Sequence, residues 1–494
     1  MSEIRICLFN PINIPSFPPL NLTYLSSYLK QFGKYRYEVK LVDVCWSKDP
    51  IGEILAFNPD IVGFTSLSSQ VVALYDLARE LRSRAGRDLV MVCGGAHAAV
   101  QWEQLLKNSC FDVVVTGEGE ATFKELVDGF IENGRQLNTK YLSSIEGLAF
   151  KDQDKVIQTQ PRKLISDLDT IPHPDRALLN YDFYNKRYFV IRGMNSYGVT
   201  TIAGSRGCPY TCIFCCVNFS TDGRMRFHSP QYIVDEMEEA VEKYNARWFF
   251  FTDDIFFVKK SHTEELSEEI LRRGLQKKVK WDVQIRSNLV RESDRPLLKL
   301  MKQAGCCEID YGFESANQRM LTLIKGKGIT AEDHQRAIDL TCEAGIHVLG
   351  TFIIGTPSET YEEMLETRAF IVKNIKKLYR FQVSCMIPYP GTPLYELCVE
   401  KGLVDPDYYK ELKKEIAEGV EHGQKVYSDL VAPEKVLALR DELDLLSLQK
   451  VTTVEKVKWL AYNSFYKPGA AFNGVKWFLS RMARKGLQYF PQTG

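Results

Sequence analysis

The sequence predicts an α/β protein built from two successive parallel sheets and a helical C-terminal region. In the first 119 residues, short β-branched runs alternate with amphipathic helical patterns. Between residues 197 and 393 six further strands alternate with helices, and the remainder is helical and charged. Such alternation is typical of parallel sheets covered by helices. We therefore expect a doubly wound (Rossmann-like) domain and then a partial (β/α)6 barrel, in keeping with the two or three domains expected for 494 residues.

Composition and charge are those of an ordinary globular protein. Apolar residues make up 45% and charged residues 26% of the chain, and 63 Lys plus Arg balance 63 Asp plus Glu. No global field therefore attracts nucleic acid or anionic membrane. The N-terminal residues show no apolar signal segment and no run of 18 uncharged apolar residues follows, so a cytoplasmic protein is expected. Thirteen cysteines in such a chain favour reduced thiols with a metal-binding or catalytic subset.

Glycine and small polar residues stand where the first strands are predicted to end. These strands are expected at residues 4–10, 37–44, 60–67, 89–95 and 111–119. Ligands of doubly wound sheets bind beyond the carboxyl ends of the strands. The residues at those ends are Thr65, Ser66, Leu67, Gly94, Gly95, Gly117 and Glu118. The glycines would let backbone approach a bulky ligand, although tight turns alone would give the same pattern.

A loop after the first barrel strand gathers cysteines. The segment "GSRGCPYTCIFCC" places Cys208, Cys212 and Cys215 in a C-x3-C-x2-C spacing, with Cys216 directly behind. Thiolates are soft ligands for zinc or iron–sulfur clusters, and both usually take four. Three thiolates on a four-iron cluster would leave one iron open to a small chelator. Cys216 abuts Cys215 and is therefore expected to be a packing residue. A structural zinc knuckle or buried thiols are the alternatives.

The barrel strands also end in polar or glycine residues. They are expected at residues 247–257, 279–290, 306–315, 346–357 and 379–393. In a barrel of this kind the chemistry lies at the C-terminal strand ends. Those ends carry Asp253, Asp254, Arg286, Glu314, Ser315, Gly355 and Tyr389. Singly, each residue also has a structural explanation: the Asp pair could cap a helix, and Arg286 or Glu314 could form an ion pair.

The cysteine spacing, with Phe214 just before the third cysteine, closely resembles that of the radical S-adenosylmethionine family. The resemblance implies a [4Fe-4S] cluster on Cys208, Cys212 and Cys215, and S-adenosyl-L-methionine on its open iron. It also implies an electron donor such as flavodoxin or ferredoxin. The residues that the resemblance makes S-adenosylmethionine ligands are Phe214, Arg286 for the methionine carboxylate, Glu314 and Ser315 for the ribose, and Ile353 and Gly355 for the adenine.

Residues 1 to 140 resemble a cobalamin-binding domain, whose strand-end Ser or Thr and Gly-Gly lie along the nucleotide tail. Ser66 and Gly94-Gly95 match that arrangement. The first loop reads "NPINIPSFPP" and lacks the Asp-x-His-x-x-Gly of the best-known members, so a cobalt without a protein imidazole from this loop is expected. His97 is either a contact to the tail or a solvated or capping residue.

The whole chain thus resembles the cobalamin-binding radical S-adenosylmethionine enzymes. The expected organisation is a cobalamin domain at 1–145, a linker at 146–195, the radical core at 196–395 and helices at 396–494. The resemblance implies methylation of an unactivated carbon of a lipid, tetrapyrrole or natural product, with oxidative cyclisation or rearrangement as the alternative. A transfer-RNA methylthiotransferase would need a second cysteine set, whereas the N-terminal cysteines stand singly, at Cys7, Cys45, Cys93 and Cys110.

The last 39 residues are basic and aromatic. From Lys456 to Gly494 there are seven Lys or Arg and no Asp or Glu. A basic amphipathic helix here could touch a membrane surface, or it could pack on the barrel with a solvated basic rim. The expected partners are a small-molecule or lipid substrate and the electron donor, without nucleic acid.

Overall fold

The computed structural model describes residues 3–14, 18–86, 88–153, 155–186, 189–191, 194–196, 198–217, 223–417 and 425–449. Within these ranges, the first sheet has the strand order β2-β1-β3-β4-β5-β6-β7. Its strands are β1 Ile4–Asn10, β2 Tyr37–Asp43, β3 Ile61–Thr65, β4 Val90–Gly94, β5 Val113–Val115, β6 Leu148–Asp152 and β7 Lys155–Gln158. The first five are parallel, and chain order reverses between β1 and β3, where doubly wound sheets bind ligands.

Helices cover both faces of this sheet. They are α1 Leu20–Phe32, α2 Pro50–Phe57, α3 Val71–Ala85, α4 Ala96–Asn108, α5 Gly119–Glu132 and α6 Thr139–Leu142. Buried residues of α3 and α4 pack with one face of the strands, and those of α1 and α5 pack with the other. The strands between them are therefore apolar on both sides, which explains their continuous β-branched runs.

The hairpin of β6 and β7 extends the first sheet beyond the predicted end of the first domain at residue 145. β6 pairs antiparallel with β5, and β7 pairs antiparallel with β6. Leu148, Ala149 and Phe150 are fully buried. This apolar run covers the edge of β5, so residues 148–152 and 155–158, expected in the linker, lie in the sheet.

The second sheet is parallel, in the order β10-β13-β14-β15-β16-β17. Its strands are β10 Val199–Ile202, β13 Trp248–Phe251, β14 Lys280–Ile285, β15 Cys306–Glu314, β16 His347–Ile354 and β17 Leu378–Cys385. In the described part of the chain β10 and β17 are its two edges, which makes an open (β/α)6 barrel. Two short antiparallel hairpins accompany it, β8 Phe189–Ile191 with β9 Met194–Ser196, and β11 Ser205–Arg206 with β12 Arg226–Phe227.

Helices surround the barrel and continue past it. Tyr181–Lys186 (α7) precedes the barrel, and the outer helices are α8 Pro230–Tyr244, α9 Lys260–Arg272, α10 Arg295–Gln303, α11 Gln318–Lys325, α12 Ala331–Glu343 and α13 Tyr361–Asn374. The C-terminal helices are α14 Pro393–Glu400, α15 Tyr408–Ala417 and α16 Pro433–Gln449. α16 buries Val436, Leu439 and Leu443 in the barrel core, while α15 packs Tyr408 and Leu412 against the first domain. The two sheets and their helices confirm the predicted fold class.

Two expectations concern membranes. The basic aromatic segment from Lys456 to Gly494 lies outside the described residues. Among the residues that are described, no helix combines the length and the apolarity that crossing a membrane requires.

Candidate active site between the two domains

A cavity of about 360 Å³ lies between the carboxyl ends of the first sheet and the start of the cysteine loop. Its walls come from both domains. The first domain contributes apolar side chains and strand-end backbone, including Phe64, Thr65, Gly94, Gly95, Gly117 and Glu118. The barrel contributes Ala203, Ser205, Arg206, Thr252 and Asp254. A molecule in this cavity would therefore contact both domains at once.

Two glycines on the cavity wall have different reasons to be glycine. Gly95 has φ of +96°, and a Cβ added there would lie 2.7 Å from the Ser66 nitrogen. Only glycine fits that close approach of β4 to β3. A Cβ added at Gly117 meets nothing within 4 Å. Gly117 therefore leaves backbone open to the cavity without being required by its own packing.

Ser66 joins the ends of β3 and β4. Its Oγ donates to the Gly94 carbonyl at 2.6 Å and accepts from the Ala98 amide at 3.2 Å. Thr65 Oγ1, on the cavity wall, accepts from the Asn21 side chain at 2.7 Å. Leu67 is half-buried just beyond the strand. These contacts fix the strand ends, while binding of a cofactor by these residues stays a prediction.

His97 lies in the core beside the strand ends. It is 3% exposed, and its Nδ1 is 3.0 Å from Ser68 Oγ. Burial lowers the pKa of His97 to about 4, so the ring is neutral at physiological pH. His97 is thus buried and hydrogen-bonded and not solvated, while a contact to a cofactor tail stays a prediction.

The cysteine loop is held by backbone hydrogen bonds at its entry. The Gly207 amide donates to Asp254 and the Gly204 amide to Asp253, both at 2.9 Å. Burial raises the pKa of Asp253 to about 7 and also raises that of Asp254, whose carboxylate borders the cavity. The Asp pair therefore anchors the loop and does not cap a helix.

The middle of the loop is anchored by two further elements. The Ile213 amide donates to the carbonyl of Ile324 in α11, and the Ile213 carbonyl accepts from Leu394 in α14, both at 3.0 Å. Phe214 and Ile353 are half-buried against an apolar cluster that includes residues of α3, α4, α14 and α15. The loop is therefore held against α11 and α14 at Ile213.

The three spaced cysteines are close enough to influence one another's ionisation. Burial, together with smaller contributions from the neighbouring Cys215 and Cys212, raises the pKa of Cys208 to about 11. Burial and then Cys212 raise the pKa of Cys215. Among the described residues no three His, Cys, Asp or Glu side chains are arranged around a single metal-ion position. The loop fits a metal cluster because of the chemistry of its donor atoms. Three soft thiolates repel one another, and a shared positively charged centre relieves that repulsion.

Arg286 contacts one of these thiols. Its Nη1 donates to Cys212 Sγ at 3.1 Å, its Nη2 donates to the Lys325 carbonyl at 2.8 Å, and its guanidinium lies 4.4 Å from the centre of the Tyr210 ring. Arg286 is 5% exposed. Arg286 thus contacts the cysteine loop at Cys212 and Tyr210, while its predicted contact with a methionine carboxylate stays a prediction.

Glu314 and Ser315 differ in their surroundings. Glu314 has φ of +64°, unusual for a residue with a side chain, and its Oε1 lies 3.2 Å from Lys325 Nζ. Ser315 is 1% exposed and shares a 3.2 Å hydrogen bond with Thr367. Ser315 thus belongs to the turn into α11, and strained backbone at a strand end marks Glu314 as the better candidate for ligand contact.

Gly355 is constrained by the C-terminal helix α16. Its φ is +75°, and a Cβ added there would lie 2.9 Å from Val436 Cγ1. Its amide donates to Glu359 at 2.8 Å. The contact with Val436 gives glycine a packing reason at this position, while contact with an adenine stays a prediction.

Three charged residues of the site were not predicted from the sequence. Arg206, Arg226 and Glu120 form, with Glu118, an ionic cluster at the cavity wall. Arg206 and Arg226 stand directly opposite each other in the β11–β12 hairpin that flanks the cysteine loop. The only sequence signal was an arginine on either side of the loop.

Comparison with known proteins was consistent across sequence and structure. A model of the radical SAM superfamily matches residues 202–371, and a model of the B12 binding domain matches residues 15–127. The uncharacterized methyltransferase PH0819 of Pyrococcus horikoshii is 34% identical over 392 residues, which cover 78% of this chain and 80% of that protein. The anaerobic magnesium-protoporphyrin IX monomethyl ester cyclase of Cereibacter sphaeroides is 32% identical, over 77% of this chain and 60% of the cyclase.

A solved structure shares the fold. The radical S-adenosylmethionine methyltransferase TsrM from Kitasatospora setae, with cobalamin and a [4Fe-4S] cluster bound, superposes with a TM-score of 0.65 at 21% identity. The match covers 81% of this chain and 76% of TsrM. The arrangement of a cobalamin domain before a radical SAM barrel is therefore common to both.

Proposed function

Because this chain belongs to the cobalamin-binding radical S-adenosylmethionine enzymes, we propose that it methylates an unactivated carbon of a small molecule. The cavity between the domains is the observation that carries this proposal. Its walls combine the strand ends of the cobalamin domain with barrel residues that adjoin the cysteine loop. Two reactive centres can thus face one substrate, which is what transfer from one centre to a carbon activated by the other requires.

Three cofactors are implied by the family: a [4Fe-4S] cluster, S-adenosyl-L-methionine and cobalamin. When bound, the cluster supplies the electron that cleaves S-adenosylmethionine, and cobalamin carries the methyl group. Cys208, Cys212 and Cys215 would hold the cluster, and the backbone at Gly94 and Gly117 would face the cobalamin. These assignments fit the soft thiol donors and the open glycine backbone of the site.

The chain's own residues keep the site in place around these cofactors. Asp253 and Asp254 hold the entry of the cysteine loop. Arg286 donates a hydrogen bond to the Cys212 sulfur at 3.1 Å and so holds this donor in the loop. Glu314, already paired with Lys325, offers a carboxylate that can accept hydrogen bonds from sugar hydroxyls.

The substrate and the electron donor belong to this proposal. We expect a lipid, a tetrapyrrole or a natural-product precursor as substrate. Relatives named for activities on such molecules include the hopanoid C-3 methylase of Methylococcus capsulatus, 24% identical, and the bacteriochlorophyllide d C-8(2)-methyltransferase of Chlorobaculum tepidum, 25% identical. Reduced flavodoxin or ferredoxin would supply the electron.

A second candidate function is oxidative cyclisation. It is favoured by the 32% and 33% identities with the cyclases of Cereibacter sphaeroides and Rubrivivax gelatinosus. This chain spans 60% and 61% of the lengths of those two proteins. Methylthiotransfer is less well supported, although a putative methylthiotransferase of Methanocaldococcus jannaschii is 26% identical. Cys7 and Cys93 are buried, and burial raises the pKa of each to about 12, so they serve the core.

Counting products distinguishes methylation from cyclisation. A cobalamin-dependent methylase consumes S-adenosylmethionine in two ways, so its turnover yields 5′-deoxyadenosine and S-adenosylhomocysteine in comparable amounts. A cyclase yields deoxyadenosine without matching S-adenosylhomocysteine. Anaerobic turnover with candidate lipids and tetrapyrroles, followed by mass spectrometry, would show a gain of one CH2 on the substrate. Conversion of a substrate without that gain and without S-adenosylhomocysteine would overturn methylation, and Cys212→Ala serves as the inactive control.

A further inference from the structure

Two arginines that face each other, Arg206 and Arg226, bound the cysteine loop, and we call this pair the neck of the loop. Strand β11 ends at Arg206, two residues before Cys208, and Arg206 pairs across the hairpin with Arg226 of β12. All three spaced cysteines lie in the loop between these two residues. Two like charges directly opposite each other destabilise a hairpin, so this neck needs a negative charge from elsewhere.

Glu118 of the first domain supplies that charge to both arginines. Its Oε1 accepts from Arg206 at 3.1 Å and from Arg226 at 2.9 Å. Its Oε2 accepts from the Ile165 amide at 2.9 Å, and Glu120 adds a second contact to Arg206 at 2.6 Å. One carboxylate of the cobalamin domain therefore closes the neck of the loop in the other domain.

The ionic cluster is largely removed from water. Its four side chains are between 7% and 19% exposed. Burial alone would raise the pKa of Glu120, but the Arg206 guanidinium outweighs it and keeps that pKa below its usual value. The pKa of Arg206, which burial would lower, is raised by Glu120 and Glu118. The Glu120–Arg206 pair therefore stays charged near neutral pH, and its burial means that salt screens it little.

The segment that carries Glu118 also forms a wall of the cavity. Gly117, Glu118, Gly119 and Glu120 line it together with Arg206. A ligand bound against Gly117 would restrict the motion of the backbone that carries the Glu118 side chain. Because the Glu118 carboxylate pairs with Arg206 and Arg226, the same ligand would also restrict the neck of the cysteine loop.

We propose that Glu118 is a positioning residue that couples occupancy of the cavity by cobalamin to the cluster-bearing loop. The inference rests on the proposed function, since it takes cobalamin as the occupant. Thermodynamic linkage makes such coupling reciprocal: cobalamin steadies the loop, and a loop held by its cluster raises the affinity for cobalamin by the same factor.

The experiment compares the Kd of hydroxocobalamin for protein with and without its reconstituted cluster. In the wild type we expect cluster loading to tighten binding about fivefold or more, the lower range of common coupling energies. Glu118→Gln keeps the size of the side chain and removes its charge. Arg226→Gln removes the Glu118–Arg226 pair from the barrel side and leaves the pairs of Arg206 with Glu118 and Glu120 in place. In Glu118→Gln the ratio of the two Kd values should fall towards 1, the value without coupling, and in Arg226→Gln it should fall part of the way.

A matched control lies on α5, the helix that begins directly after Glu118. Glu125 of α5 pairs with Arg162, 3.1 Å away, and does not reach the neck. Glu125→Gln should therefore keep the wild-type ratio. A second readout is the rate at which a ferrous chelator removes iron from the cluster. Added hydroxocobalamin should slow this rate in the wild type and in Glu125→Gln, and should slow it less in the other two variants.

The outcomes separate this inference from the proposed function. Equal Kd values with and without the cluster in the wild type would overturn the coupling, and so would a wild-type ratio in either variant of the neck. Circular dichroism checks folding: if both neck variants fail to fold, the ion pairs serve stability and the positioning role is refuted. A wild-type protein that binds no hydroxocobalamin would overturn the cobalamin site itself, which is a failure of the proposed function.

Discussion

Replacing Gly95 or Gly117 by alanine should separate the packing of the strand ends from the binding surface that they form. At Gly95 the alanine must adopt φ of +96° with its Cβ 2.7 Å from the Ser66 nitrogen and 2.9 Å from Thr65 Oγ1. Strained backbone costs about 1–3 kcal/mol, and overpacking adds a similar amount. We expect Gly95→Ala to lower the free energy of unfolding by about 4 kcal/mol, the middle of the combined range of about 2–6 kcal/mol.

At Gly117 the same added methyl group meets nothing within 4 Å. Gly117→Ala should therefore leave stability within about 0.5 kcal/mol of the wild type, as for an ordinary surface substitution. Because Gly117 lines the cavity, a methyl group in the open space beside it should raise the Kd for hydroxocobalamin. Both variants should keep the iron content of the wild type, because neither position touches the cysteine loop.

Two measurements check this pair: urea unfolding of the cobalamin-free protein, followed by circular dichroism, and spectrophotometric titration with hydroxocobalamin. A Gly95→Ala protein as stable as the wild type would refute the close approach of β4 to β3. A Gly117→Ala protein with unchanged cobalamin affinity would show that this backbone does not face the ligand.

Two further predictions concern the cysteine loop and a buried carboxyl. Cys212→Ala should lose most of the reconstituted iron and all deoxyadenosine formation, whereas Cys216→Ala should retain both. Iron analysis after anaerobic reconstitution checks this prediction. Full activity in Cys212→Ala would refute the cluster assignment. Burial raises the pKa of Glu359 from 4.5 to about 7, so its folded form favours the protonated acid, and its contribution to stability is present at low pH and is lost as pH rises through 7. Glu359→Gln should remove that loss, which urea unfolding at pH 5 and pH 8 would detect as a smaller difference between the two conditions; an unchanged difference would contradict the assigned titration.

The fold could be predicted from local patterns because each strand and helix carries its own signal. Alternating β-branched runs and amphipathic helices predicted the five parallel strands of the first sheet and the six of the barrel. The β6–β7 hairpin was missed because its short strands are interrupted by the polar residues of "KDQDK". A short polar hairpin cannot be distinguished from a linker by sequence alone. Its assignment as sheet requires the knowledge that the edge of β5 is available for pairing with β6.

The site was predicted where its residues lie together in sequence and not where they come together only in space. Cys208, Cys212 and Cys215 share one loop. By contrast, Glu118 is 88 residues from Arg206 and 108 residues from Arg226, and no local pattern pairs them. Likewise, the sequence placed Arg286 at a strand end but could not show that Cys212 would be its partner.

Helix α16 has a consequence for exchanging parts between related enzymes. Val436, Leu439 and Leu443 are buried in the barrel core, and Ser447 Oγ donates to the Phe381 carbonyl of β17 at 2.6 Å. A chimera cut at the end of the last barrel strand would strip this helix away and expose an apolar surface that invites aggregation. The transplantable module is therefore the barrel together with residues 433–449, and a crossover point placed between them would separate two halves of one hydrophobic core.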